Sequence, residues 1–278
     1  MIKIAAIDLD DTLFDENKRI TAYTEETLGQ AAALGTEIVP CTGRPFGAIP
    51  ANVKALGFVN YYITCNGAAL YDKNGNCLVE HTMDSVLSAE LAGRLSGGFD
   101  ISVDAFIGGR SYRESSKMSM IDELDLSDLM KEYIRSTRVQ VENLKEYILG
   151  NSLCVQKFTL NFKADGRGGY IDRENVRGML SEYREIDVVS GGMANLEITR
   201  KGINKGTGLT DLAGIIGADI SETMMIGDSE NDLEAIKCAG IGVAMENSEK
   251  FVIEAADYVT LSNRNDGAAA AVRHFILK

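Results

Sequence analysis

Asp8, Asp10 and Asp11 place three carboxylates within four consecutive positions, directly behind a largely apolar run over residues 2–7. The run is too short for an independent helix and reads as a buried strand. Like charges gathered at a strand end repel one another and resist burial, and a dication would relieve them. In open α/β sheets ligands collect at the carboxyl ends of strands, which is where these aspartates would lie. Asp8 and Asp10, two apart, can both reach one substrate once the strand gives way to a turn. The chemistry open to such a pair is phosphoryl transfer. One carboxylate attacks phosphorus to give an acyl phosphate, which divides hydrolysis into two easier displacements. The other protonates the leaving alcohol and then takes a proton from water. A solvated acidic turn would use the same residue types.

Three further segments carry chemistry, each behind a predicted strand. Thr42-Gly43-Arg44-Pro45 offers a hydroxyl, an unhindered N–H at Gly43 and a helix N-terminus begun by Pro45, all suited to a phosphate oxyanion. An ordinary turn would look alike, and Arg44 is either a second phosphate contact or a surface residue. Lys205 stands at a predicted helix start, where the macrodipole disfavours a cation, so its position asks for a compensating anion or for solvent. Gly227-Asp228-Ser229-Glu230-Asn231-Asp232 can supply oxygen ligands to a hard cation. Mg²⁺ keeps several waters and uses one or two carboxylates, which suits Asp228 as a direct ligand and Asp232 through water. Glu230 and Asp232 also suit the start of the next helix.

The elements that must position these groups alternate. A helix is predicted over 21–34 with a Gly35 stop, a strand over 37–41, a helix over 45–56 stopped by Gly57, and a strand over 61–64. Asn74-Gly75 between two short apolar runs signals a hairpin. From about Met83 the pattern changes to strands over 101–105 and 157–162, helical stretches over 119–134 and 173–183, and glycine-rich turns at 108–109, 166–169 and 191–192. The αβ rhythm returns with strands over 196–199, 223–226 and 241–244 and helices from about Asn204, Asn231 and Asp266. The expected organisation is a Rossmann-like α/β core over 1–82 and 191–278, interrupted by an α+β module over 83–190.

Composition narrows the partners. The chain has 278 residues, with 28 basic and 41 acidic side chains and a formal charge of −13. That balance argues against a nucleic-acid or anionic-membrane partner, and it requires local cations to reverse the field wherever a phosphate binds. Cys41, Cys65, Cys77, Cys154 and Cys238 are odd in number, with no CxxC, so neither a disulfide framework nor a zinc site is expected and a reducing cytosol fits. No apolar run reaches transmembrane length and no secretory signal opens the chain. His81 and His274 have no partner motif nearby, which disfavours histidine chemistry.

In order and placement, DLDDTL at 8–13, Thr42-Gly43-Arg44, Lys205-Gly206 and GDSENDLEA at 227–235 resemble the haloacid dehalogenase superfamily of phosphohydrolases. The segments at 64–68, 242–247 and 265–267 are similar to its Cof-type branch of sugar-phosphate phosphatases, which carry a large α/β cap between the second and third motifs. The resemblance implies Asp8 as nucleophile and Mg²⁺ ligand, and Asp10 as acid/base that also offers its backbone carbonyl to the metal. It implies Thr42 and Lys205 on the phosphoryl group, with Gly43, Arg44 and Asn231 as further phosphate contacts, and Asp228 completing the metal site with Asp232 and Asn231 behind it. Departures are few: Ser248 stands where Ala often follows Asn247, and Glu234-Ala235-Ile236 replaces a common Met-containing stretch. The implied activity is a cytoplasmic, Mg²⁺-dependent phosphatase acting on a small phosphate monoester, with a phosphomutase or a non-catalytic phosphate-binding regulator as alternatives. A monomer or weak homodimer is expected. The inserted module would set specificity and close by motion near 82–84 and 190–192. Arg110, Tyr112, Arg113 and Lys117 are its polar candidates, and a solvated surface would explain them as well.

Overall fold

The computed structural model describes residues 1–190, 192 and 194–277. The chain opens with β1 (Ile4–Ile7), buried throughout. α1 (Ala22–Ala33) begins at Thr21, whose hydroxyl accepts from the Thr24 N–H and so satisfies one of the orphan donors of the first turn. β2 (Glu37–Pro40), the short α2 (Ala51–Lys54), β3 (Tyr61–Thr64), β4 (Ala69–Asp72) and β5 (Cys77–Glu80) follow. β3, β4 and β5 form an antiparallel three-stranded sheet, in which β4 and β5 are the hairpin that Asn74-Gly75 predicts. The Asp72 carboxylate accepts from the Asn74 and Asn76 N–H groups and fixes that turn. One expectation fails here. Residues 45–56 are not a continuous helix but a 3₁₀ turn at Phe46–Ala48 followed by four helical residues, because Pro50 has no N–H to donate and restarts the helix from its own N-cap position.

The inserted stretch holds α3 (Ser85–Gly98), β6 (Ser102–Ile107), β7 (Arg110–Glu114), α4 (Asp128–Thr137), β8 (Arg138–Val141), α5 (Leu144–Gly150), β9 (Lys157–Asn161), α6 (Arg173–Leu180), β10 (Ile186–Val189) and β11 (Asn195–Arg200). Its strands make one sheet in the order β10-β11-β9-β6-β7-β8, antiparallel except for the β7–β8 pair. The chain then returns through α7 (Lys205–Ile216), β12 (Thr223–Gly227), α8 (Leu233–Cys238), β13 (Ile241–Ala244), α9 (Lys250–Ala255), β14 (Tyr258–Val259) and α10 (Gly267–Phe275).

The parallel sheet runs β14-β13-β12-β1-β2 and is apolar on both faces. Ala5, Ile7, Ile38, Met224 and Ile226 pack with Leu28 and Ala31 of α1 and with Ala268, Ala271 and Val272 of α10. Their alternating neighbours Ile4, Ala6, Val39 and Met225 pack with Leu209 and Leu212 of α7 and Ile236 of α8. Burial on both faces is what near-continuous apolar strands require. No helix among the described residues is long and apolar enough to cross a membrane.

By contact the chain divides into Met1–Glu80 with Ile203–Lys278, and His81–Gly202. The second boundary differs from the expected 190/191. The strand expected over 196–199 is β11, which is hydrogen-bonded between β9 and β10 and so belongs to the inserted sheet. An apolar alternation does not say which sheet a strand joins. Of the expected hinge at 190–192, Gly191 lies outside the described residues.

The inserted sheet buries two unlike faces. Val103, Ala105, Phe158, Leu160, Leu196 and Ile198 pack on α3, α5 and α6. The alternate residues are mostly polar and also buried, with Phe106 under the Lys157 ammonium. Asp104, Thr159 and Glu197 lie side by side across β6, β9 and β11, and Lys157 pairs with Glu197. Arg113, one of the sequence candidates, is fully buried rather than solvated: it grips Asp104 at 2.6 and 3.0 Å, and Arg138 takes the same carboxylate at 2.8 Å. Burial alone would raise the Asp104 carboxyl, but Arg138 and Arg113 outweigh it and hold it below its ordinary value. Stability from this carboxylate is therefore present above the unfolded value of about 3.9 and is lost as pH falls through the lower folded value. Asp104→Ala leaves two guanidiniums without their shared anion and should cost about 3–5 kcal/mol in urea denaturation at pH 7. An unchanged midpoint would show that the two arginines are compensated elsewhere.

Candidate active site

Sheet register brings the motif residues to one place. Ile7 of β1 pairs with Ile226 of β12 on one side and with Pro40 of β2 on the other, so Asp8, Asp228 and Thr42 all emerge at the same carboxyl edge. The Asp8 N–H donates to Ile226 O at 3.0 Å and the Cys41 N–H to Ile7 O at 2.8 Å, which carries the register just past the strands. From β1 the chain adds β2 on one side, whereas β12 leads to β13 and β14 on the other. The strand order therefore reverses between β1 and β12, the crevice where α/β sheets bind ligands.

The anion that Lys205 asks for is a pair of carboxylates. Its ammonium, fully buried at the first turn of α7, donates to Asp8 Oδ1 and to Asp232 Oδ1, each at 2.6 Å. Oxygens of Asp8, Asp228 and Asp232 come within 4.8 Å of one another. Asp232 Oδ2 accepts from the Asp228 and Ser229 N–H groups at 3.0 and 3.1 Å, so both of its oxygens are engaged. Only glycine fits at 227: a Cβ there would lie 2.4 Å from the Asp232 carboxyl carbon. Burial pushes the Asp8 carboxyl well up despite Lys205, with Asp232 and Asp228 adding to the rise. Burial and Asp232 likewise lift Asp228 to about 7, although the Thr12 hydroxyl donates to it at 2.9 Å. The two carboxylates beside Lys205 outweigh its burial and hold it firmly protonated.

Asp10 sits in the opposite electrostatic setting. Arg44 Nε and Nη2 grip both its oxygens at 2.8 Å, and Lys18 lies 3.1 Å from Oδ1. Burial would raise this carboxyl, but Arg44 and then Lys18 prevail and hold it at about 2. Arg44, expected on phosphate or at the surface, is thus an ion-pair partner of Asp10. Thr42 is buried with its hydroxyl accepting from the Arg44 N–H at 3.2 Å, and Gly43 lies half-buried beside it. The oxyanion site expected at a helix N-terminus after Pro45 is reduced to a single 3₁₀ turn.

Asn231 is braced on both sides: its Oδ1 accepts from Ser229 Oγ at 2.9 Å, and its Nδ2 donates to Asn66 Oδ1 at 3.4 Å. The sequence reading assigned no role to Thr12, Lys18 or Asn66. Thr12, two residues after Asp10, was open to inference as a donor to the cluster. Lys18 and Asn66 join through turn geometry, which residue spacing does not reveal. In the tail segment, Asn247 Nδ2 donates to the Asp11 carbonyl at 2.9 Å and ties that loop to the first motif.

Residues 5–272 match the haloacid dehalogenase-like hydrolase family. The 5-amino-6-(5-phospho-D-ribitylamino)uracil phosphatase YcsE of Bacillus subtilis (strain 168) is 27% identical over 276 residues, 99% of this chain and 96% of its own length. A phosphoglycolate phosphatase of Methanobrevibacter smithii is 26% identical, with 99% of each chain covered. Among solved structures, a haloacid dehalogenase-like hydrolase from B. subtilis superposes with a TM-score of 0.86 at 26% identity, covering 99% of this chain and 100% of its own. A sugar phosphatase of subclass IIB reaches 0.78 at 26% identity, with 98% of both chains covered.

The Arg44–Asp10 pair makes a direct prediction. In Arg44→Ala the Asp10 carboxyl should rise from about 2, because Lys18 alone is then left to oppose the effect of burial. A carbon-detected NMR titration of the Asp10 carboxyl checks this, and an unmoved midpoint would assign the effect to Lys18.

Proposed function

The chain belongs to the haloacid dehalogenase-like hydrolases and is a phosphatase of that family; on that premise we propose that it hydrolyses a small phosphate monoester, with a sugar phosphate as leading candidate, through an aspartyl-phosphate on Asp8. The observation that carries this reading is the Lys205 ammonium held between Asp8 and Asp232 at the strand-order reversal. The names of the similar phosphatases differ in the compound acted on and agree in its being a small phosphate ester or a sugar phosphate.

A metal fits this donor set. Fully ionised, Asp8, Asp228 and Asp232 would carry three negative charges against one positive charge on Lys205, two in excess in a buried site, which is why burial and mutual repulsion lift Asp8 and Asp228. Every donor is a hard oxygen, the preference of Mg²⁺. Asp8 and Asp228, with the Asp10 carbonyl, would hold the ion, and Asp232 would stand behind them because Lys205 and two N–H groups occupy its oxygens. When bound, Mg²⁺ would supply the charge that keeps Asp8 and Asp228 ionised and would neutralise the phosphoryl oxygens.

The residues divide the reaction between them. Lys205, the Thr42 hydroxyl, the Gly43 N–H and Asn231 receive the phosphoryl oxygens, which lowers the repulsion an anionic nucleophile meets. The Asp8 carboxylate attacks phosphorus; the bond from phosphorus to the alcohol oxygen breaks, and Asp10 donates a proton to that oxygen. Asp10, now a carboxylate, takes a proton from water as the water attacks the aspartyl-phosphate, releasing phosphate and restoring Asp8. The resting protein holds Asp10 at about 2, ready only for the second half. We propose that an incoming phosphate competes for Arg44 and raises Asp10 by its own charge, which would ready Asp10 for the first half. Arg44 then becomes the further phosphate contact.

Phosphate release from p-nitrophenyl phosphate and a panel of sugar phosphates and nucleotides tests the scheme. Release should require Mg²⁺ and cease with EDTA. Asp8→Asn should lower kcat by more than about a thousandfold, whereas Asp10→Asn should lower it by about 10²–10⁴ while leaving Mg²⁺ affinity nearly unchanged. Substantial turnover by Asp8→Asn would mean that the nucleophile lies elsewhere, and a large loss of Mg²⁺ affinity in Asp10→Asn would contradict the assigned roles.

A further inference from the structure

The structure assigns to Asn247 a positioning role in the metal site proposed above, a reading on which this inference rests. Behind β1 the chain makes one wide turn, with the Leu13 N–H donating to Asp8 O at 3.1 Å and the Phe14 N–H to Leu9 O at 2.9 Å. Inside it Asp10 is extended (φ −78°, ψ 125°) and Asp11 is left-handed (φ 61°, ψ 11°). A residue with a Cβ holds that conformation at a cost, so contacts around it have to fix it. The Asp11 carbonyl, one residue on from the Asp10 carbonyl, accepts from Asn247 Nδ2 at 2.9 Å. Phe14 O accepts from Asn263 Nδ2 at 3.0 Å, and the Asn263 N–H donates to Asn247 Oδ1, also at 3.0 Å. Both partners of the Asn247 carboxamide are thus main-chain groups of fixed polarity. Turned over, its oxygen would face a carbonyl and its amide hydrogens an N–H, so these partners decide which end donates.

Asn247 stands on a loop that is itself fastened to the Asp228 turn. The Met245 N–H and Ser248 Oγ donate to Gly227 O at 3.1 and 3.4 Å, and the Glu249 N–H to Asp228 O at 3.4 Å. On the other side of Asp11, Thr12 Oγ1 donates to Asp228 Oδ1 at 2.9 Å. These contacts close a ring. The Asp10–Thr12 turn reaches the Asp228 carboxylate through Thr12, the Asp228 main chain holds the 245–249 loop, and Asn247 returns to Asp11. The Asp10 carbonyl and the Asp228 carboxylate, both proposed ligands of one ion, lie on adjacent arms of that ring. Mg²⁺ takes oxygens at about 2.0–2.1 Å in a near-ideal octahedron, whereas Ca²⁺ accepts about 2.3–2.6 Å in flexible geometry. Fixing the two arms therefore bears on the smaller ion far more than on the larger. Asn247 sets the spacing of the two ligands and with it the preference of the site for Mg²⁺.

The alternative is that Asn247 merely tightens a surface loop. Its side chain is exposed, so replacing it leaves the core intact, and the ratio of Mg²⁺ to Ca²⁺ affinity separates the two explanations. Each ion is titrated calorimetrically into the metal-free protein, with no substrate present. Asn247→Ala should bind Mg²⁺ about tenfold more weakly than the parent, the lower end of what removing a ligand-orienting group costs, and Ca²⁺ within about twofold. Asn247→Asp keeps the size of the side chain and the acceptor for the Asn263 N–H but cannot donate to Asp11 O. Its added charge attracts both ions alike, so its ratio should fall as in Asn247→Ala. The Mg²⁺ concentration giving half-maximal release from p-nitrophenyl phosphate should rise about tenfold in Asn247→Ala. That is the reverse of Asp10→Asn, where turnover falls and the metal is kept. Loop tightening alone would lower the melting temperature without moving the ratio. An unchanged ratio in either variant would overturn the inference and leave the site reading standing. A parent protein that binds no Mg²⁺, or an Asp228→Ala protein that binds it as well as the parent, would overturn the site reading and the inference together.

Discussion

The buried ammonium of Lys205 is the constraint on which the site depends. A cation taken out of water is tolerated only with close anionic partners, and Asp8 and Asp232 supply them at 2.6 Å each. With Asp228 beside them the cluster, if fully ionised, would be over-compensated by two negative charges. The same arrangement that makes Lys205 tolerable therefore makes the carboxylates reluctant to ionise, so the cluster is at rest electrostatically only when further positive charge arrives. That accounts for how a protein of net charge −13 can prepare a site for a phosphate ester.

The fold serves this constraint at two scales. The apolar double-sided sheet fixes register, and register alone puts Asp8, Thr42 and Asp228 at one edge. Finer placement belongs to irregular backbone. Gly227 lets the Asp232 carboxylate fold back onto the Asp228 and Ser229 N–H groups, and the left-handed turn at 65–67 locks the Thr42 loop to the Lys205 helix. Asp8 and Asp10, two residues apart, end in opposite electrostatic conditions: burial and the neighbouring carboxylates outweigh Lys205 at Asp8, whereas Arg44 and Lys18 outweigh burial at Asp10. In the resting protein these shifts run opposite to what a carboxylate nucleophile and a protonated acid need, so the proposed reaction requires added positive charge at Asp8 and release of Asp10 from Arg44.

The inserted unit is built on another principle. Its sheet buries an apolar face against three helices and a second face rich in charge, where Asp104 holds Arg113 and Arg138 and Lys157 holds Glu197. Ser102, Ser111 and Thr159 on that face have buried hydroxyls without a hydrogen-bond partner among the described residues. Exchanging such a pair for apolar residues is often neutral or stabilising, whereas removing one partner is costly because the other charge stays buried and unpaired.

The sequence by itself determined the family and the class of fold, and marked the residues on which the proposed chemistry rests. A strand followed by DLDDTL, the Thr42-Gly43-Arg44 turn, a lysine where a helix start disfavours one and the Asp228 loop announce themselves locally, because catalytic residue types break the apolar pattern at strand ends. The sequence also marked α1, the hairpin at Asn74-Gly75 and the inserted module. Only the tertiary structure decided what lies across gaps of many residues. It put Arg44 on Asp10 instead of on the surface, buried Arg113 against Asp104, placed β11 in the inserted sheet, and joined Asn66 to Asn231. It also showed that Pro50 ends the helix expected after Pro45. Periodicity reports which face of a segment is apolar, and composition reports which residues can ionise. Which charge meets which, and which sheet a strand joins, is settled by packing between distant segments, and no local pattern encodes that.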